Sequence, residues 1–157
     1  MKTKLSYLLL LLLSCQQLVA QNKIDIKANF NIQEKTITVN QFISYTNTSQ
    51  DTLTTIYLND WSNSFSTKNT PLANRFTEEY NTNFHFAKNE ERGYTVISSI
   101  KNQQFNDLNF DRLENQLDVI TVSLDKALLP GETYKLKLAY KINLHRILYI
   151  FFLKSLF

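Results

Sequence analysis

At 157 residues the chain has the size of a single domain, large enough to bury a core of its own. Its formal charge of +3 misleads, because five basic residues lie in the terminal segments; residues 21–140 carry twelve basic and fourteen acidic side chains, a net of −2, and no basic field for nucleic acid exists. One cysteine excludes an internal disulfide. Glycine only at 93 and 131 excludes phosphate loops, dinucleotide fingerprints and nucleophile elbows, all of which need glycines at fixed offsets.

The first twenty residues read as a secretory signal: Lys2 and Lys4, an apolar run from Leu5 to Leu13, and an exit through small residues at Ser14 or Ala20. The run is too short to span a bilayer, so no transmembrane span is expected once the leader is removed. Two processing routes stay open. Cleavage after Ala20 leaves Gln21 first, whereas Leu12-Leu13-Ser14-Cys15 resembles a lipoprotein box and would attach lipid at Cys15. Either route makes the chain an exported one, whether periplasmic, cell-surface or secreted.

Ile24, Ile26, Ala28, Phe30 and Ile32 alternate with polar residues, the period of a strand with one buried face. Gln33-Glu34-Lys35 turns the chain into a return strand, Thr36 to Thr46, with Ile37, Val39, Ile43 and Tyr45 on one face. Asn47-Thr48-Ser49 matches a glycosylation sequon and opens a polar turn leading to a strand over 52–58. The next strand is expected over 94–100, after a reversal at Gly93 that calls for positive φ. A polar link follows, then a strand over 117–124 with Ile120, Val122 and Leu124 on one face. Leu129-Pro130-Gly131-Glu132 predicts a turn with Pro then Gly at its centre. Thr133 to Tyr140 is the cleanest strand, its Tyr134, Leu136, Leu138 and Tyr140 alternating with Lys135, Lys137 and Ala139.

The stretch from Ile56 to Ala87 exceeds what a plain β-domain requires. It leaves its strand near Trp61, and Thr70-Pro71 then supplies a capping hydroxyl before a residue suited to the first helical position. Leu72, Ala73, Phe76 and Tyr80 recur at helical spacing, so a helix is predicted over 71–80. Trp61, Phe65, Phe76, Tyr80, Phe84 and Phe86 make this the aromatic centre of the chain, either a helix-to-sheet core or an interface and binding face. Six or seven short strands with one inserted helix define the expected fold: all-β, an antiparallel β-sandwich.

From Ile142 the alternation stops, and Ile147 to Leu153 form an uninterrupted apolar run. Residues 142–157 are read either as out-of-frame peptide following truncation of the gene or as a genuine terminal strand or interfacial helix. The sandwich domain proper is taken as 21–141.

Asn47 to Phe76, NTSQDTLTTIYLNDWSNSFSTKNTPLANRF, and Leu128 to Tyr140, LLPGETYKLKLAY, resemble the amino-terminal domain of bacterial exported zinc aminopeptidases of the aminopeptidase N family, a likeness covering residues 23–141. The resemblance implies a non-catalytic β-domain packed on a catalytic domain that is missing from this chain. In that family zinc and chemistry belong to an H-E-x-x-H helix with a distant Glu, and a Gly-x-Met-Glu-Asn segment holds the substrate amine; this chain contains neither motif. It therefore has no expected cofactor and no expected activity alone. His85 and His145 stand sixty residues apart, far from zinc-ligand spacing, and His85 is read as a strand residue between packed phenylalanines. Glu78, Glu79, Glu90, Glu91, Asp107, Asp111, Glu114 and Asp118 sit among polar residues and are read as solvated rather than as an acid–base pair.

Overall fold

A computed structural model describes residues 22–80 and 82–144. The expected signal segment, Cys15, His145 and all but the first three residues of the apolar tail lie outside the described residues.

The strands are β1 (Lys23–Asn31), β2 (Thr36–Thr46), β3 (Leu53–Asn59), β4 (Tyr94–Lys101), β5 (Phe110–Leu113), β6 (Gln116–Leu128) and β7 (Thr133–Asn143). They form two antiparallel sheets, four strands in the order β1-β2-β7-β4 and three in the order β3-β6-β5. This is the expected all-β sandwich. The helical elements are α1 (Pro71–Glu78), α2 (Thr82–His85) and two short 3-10 segments, Trp61–Phe65 and Asn89–Glu91.

β7 is the keel of the larger sheet, paired with β2 on one side and β4 on the other. Its alternation works as the sequence implies: Tyr134, Leu136 and Leu138 are buried, joining Ile56, Ile100, Leu108, Ile120, Val122 and Leu128 in the main core. Lys137 points to the opposite face, its Nζ over the rings of Phe42 and Phe105. The β6–β7 connection is the turn expected: Glu132 N–H donates to Leu129 O at 3.1 Å, and Gly131 has φ +80°, which its lack of a Cβ permits.

Several expectations fail for local physical reasons. The apolar face of β1 is not buried: Ile24, Ile26 and Phe30 are 56%, 58% and 62% exposed, Ile32 in the turn just beyond is 66% exposed, and none of them packs against the main core. A three-stranded sheet cannot cover a four-stranded one when strands lie about 4.8 Å apart, and the uncovered strand is the outermost. The 1.5–3 kcal/mol or so that each such side chain gains on burial is therefore not realised within the described residues.

Gly93 is buried, and positive φ among glycines occurs only at Gly131. α1 stops at Glu78, short of Tyr80, whose φ of +58° takes the backbone into the left-handed region. His85 lies in the one-turn helix α2 rather than a strand, and its neighbour Phe86 is exposed rather than packed. β5 was not apparent, because four residues with one turn of alternation give no periodic signal. β7 runs on through Asn143, so Ile142 pairs with Ile37 and Thr95.

Candidate binding face

The aromatic segment is fastened to the sandwich by a polar cluster. Asp60, which follows β3, is buried; its Oδ2 accepts from Arg112 Nη2 at 2.6 Å and its Oδ1 from Thr95 Oγ1 at 2.7 Å. One turn later, Asn63 Nδ2 donates to Leu117 O at 2.6 Å, and Ser64 Oγ donates to Asp118 Oδ2 at 3.0 Å. Thr70 caps α1 as its sequence implies, accepting from Ala73 N–H at 3.2 Å while donating its own proton to Ser64 O at 2.6 Å. The 3-10 turn and the helix are thus tied to each other, to β4 and to β6.

This scaffold divides the six aromatic residues into two groups. Phe65 and Phe84 are buried with Ala73, and Phe76 and Leu72 pack against them. The ring centroids of Phe65 and Phe84 lie 5.9 Å apart, and those of Phe76 and Phe84 5.5 Å apart, both edge-on. Arg92 closes this small core with its guanidinium carbon 4.9 Å from the Phe84 centroid, and its Nη2 donates to Ala87 O at 3.1 Å. Trp61, Tyr80 and Phe86 are exposed.

Of those three, Trp61 alone lines a cleft of about 310 Å³ at the open side of the sandwich. Its other walls include Ile24, Ile43, Tyr140 and Ile142 from the large sheet and Asp60 at the end of β3. Four of the polar residues lining it are already engaged: Asp60 with Arg112 and Thr95, and Tyr140 with Gln41. Tyr140 Oη donates to Gln41 Oε1 at 2.8 Å, and burial, with the Asp60 charge adding to it, raises the Tyr140 phenol above its ordinary pKa. Asp60 is held by Arg112 and Thr95. A cleft of apolar walls, a neutral phenol and a neutralised carboxylate can receive an apolar group, but it presents no paired acid and base to a substrate.

Neither Asp60 nor Arg112 carries a local signal in the sequence that would mark it as one of a pair. They are fifty-two positions apart, on elements whose adjacency only the sheet order reveals. Among the described residues no three His, Cys, Asp or Glu side chains form a group that could hold a metal ion. No described helix is long and apolar enough to cross a membrane. No family model matches the chain, and no curated protein matches it.

Proposed function

We propose that this chain is the non-catalytic amino-terminal β-domain of a zinc aminopeptidase-like exported protein, and that it acts by packing on a catalytic domain. One observation supports the reading above others: the inner face of β1 is apolar, continuous with the Trp61 cleft, and open to solvent. Contiguous exposed apolar surface of this kind marks an interface in a soluble protein. In this reading zinc, the attacking water and the amine-binding segment all belong to the catalytic domain, and this chain supplies a wall.

Co-expression with a catalytic domain of the resembled zinc aminopeptidase family tests the proposal. The chain alone is expected to be poorly soluble, and to become soluble and co-purify when that domain is supplied in trans. Chelator-sensitive hydrolysis of aminoacyl-arylamides by the purified chain alone would refute it. The second reading is a free-standing immunoglobulin-like binding module, which the 310 Å³ cleft beside Trp61 favours; a soluble, monodisperse monomer that needs no partner would put that reading first.

A further inference from the structure

The open edge of β1 is a different surface from its apolar face, and its chemistry specifies a partner. Asn47 N–H donates to Glu132 O and Leu144 N–H to Lys35 O, so the odd-numbered residues of β2 direct their backbone groups toward β7. Even-numbered residues of β2 therefore bond to β1, as Thr46 N–H does when it donates to the Asn22 side chain at 2.9 Å. In the register that pairs Asp25 with Phe42 and Lys27 with Asn40, the ladder to β2 uses Lys23, Asp25, Lys27, Asn29 and Asn31. The backbone groups of Ile24, Ile26, Ala28 and Phe30 point outward, and among the described residues β1 has a ladder partner on one side only.

We propose that this edge pairs with the same edge of a second copy of the chain, antiparallel about a two-fold axis at Ile26, to make one continuous eight-stranded sheet. Charge and overlap together select that register: centring on Ile24 also sets Lys23 against Asp25 but pairs only residues 23–25 of β1, whereas centring on Ile26 pairs residues 23–29. Centring the pair on Asp25 opposes two aspartates, and centring it on Lys27 opposes two lysines. Centring it on Ile26 sets Asp25 against Lys27 of the second copy, twice by symmetry, and Lys23 against Asn29. The same register aligns outward-facing backbone groups, Ile24 with Ala28 and Ile26 with Ile26, so both copies donate and accept along the seam. Asp25 already meets Lys23 Nζ through Oδ2 at 3.1 Å, which leaves Oδ1 for the incoming lysine. On the other face the pairs Ile26–Ile26 and Ile24–Ala28 cover apolar surface that one copy leaves exposed. Charged residues on an edge strand commonly deter pairing with arbitrary strands; here their order admits a self-complementary one.

Sedimentation velocity on the purified full chain tests this, comparing wild type with Asp25→Lys, Lys27→Asp, the double exchange, and a 1:1 mixture of the two single variants. Wild type is expected to dimerise. Each single variant places like charges opposite twice and should weaken dimerisation by about tenfold or more. The double exchange and the mixture both restore opposite charges and should recover it. Ile26→Pro removes an outward N–H that the ladder to β2 does not use and should also give monomer. A monomeric wild type overturns the proposal. So does association that ignores the charge variants, or a double exchange as weak as the single variants. The peptidase reading stands or falls on rescue by a catalytic domain in trans, which none of these measurements involves, so a monomeric wild type by itself overturns only the edge pairing.

Discussion

Asn47 shows how a residue read as a loop feature becomes structural. It is fully buried, and its Nδ2 donates to Asp51 O at 2.7 Å and Leu128 O at 3.0 Å while its backbone N–H and C=O hold Glu132 and Gly131. A sequon amide so engaged has no room for a glycan. Asn47→Ala strands two carbonyls in or near the core and should cost about 2–3 kcal/mol in urea unfolding; a loss below 0.5 would show that water replaces the amide. Tyr134 and Asp125 make the second residue-scale case. Tyr134 Oη donates to Asp125 Oδ1 at 2.5 Å, and Asn102 Nδ2 donates to Oδ2 at 2.6 Å. The Tyr134 bond, then that of Asn102, holds the Asp125 carboxyl below its ordinary pKa, while burial and this same bond push the Tyr134 phenol above its own. A depressed carboxyl adds stability that is present above its unfolded pKa near 4 and lost as pH falls through the folded value. A raised phenol adds stability that is present below about 10 and lost as pH rises through the folded value. Tyr134→Phe should therefore lower stability by about 1 kcal/mol at pH 7 and flatten both limbs of the stability–pH curve. A wild-type alkaline limb retained in the variant would assign that limb to another group.

At the scale of elements, the segment after β3 is positioned by a buried charge pair rather than by its aromatic residues. Asp60→Asn leaves the Arg112 guanidinium without its counter-ion in a site only one-fifth exposed, an effect of about 3–5 kcal/mol when a buried pair loses one partner. Trp61, the sole tryptophan, adjoins Asp60, so its fluorescence should shift and its quenching by iodide should rise in the variant. Unchanged emission together with unchanged stability would show that Asn63 and Ser64 hold the turn alone. This anchor was invisible in the chain, whereas β7, the Pro130-Gly131 turn and the Thr70 cap were legible, and the difference is physical. Alternation, turn chemistry and capping act within a few residues, so their signals are local. The Asp60–Arg112 pair depends on which strands become neighbours. The same limit explains β1: its alternation correctly predicted a strand with an apolar face, and alternation cannot say how many strands the opposing sheet will have. Within the aromatic group, helical spacing placed Phe76 toward the core, but only the one-turn helix α2 decides that Phe84 goes inward while Phe86 stays out.

For the whole molecule, four strands facing three set up a testable asymmetry between surfaces that look alike in sequence. Leu136 and Ile26 each occupy an apolar position in an alternating strand, yet Leu136 lies in the main core and Ile26 is more than half exposed. Leu136→Ala should cost about 2–5 kcal/mol, the usual range for truncating a packed side chain. Replacing Ile24, Ile26 and Phe30 together by threonine removes more apolar surface, but from water-exposed positions, and should change stability by only about 0.5 kcal/mol per site or less. Threonine keeps the β-branched preference for a strand, so β1 itself should persist. The triple variant should bind much less of a hydrophobic dye than wild type and stay soluble at higher concentration. If β1's face is the seat of a catalytic domain, the same variant should also lose rescue by that domain in trans, since the surface removed is the one the partner would cover. A triple variant that unfolds would mean that this face is covered in the free chain. One that stays folded and is still rescued by the partner would move the interface elsewhere, to the Trp61 cleft.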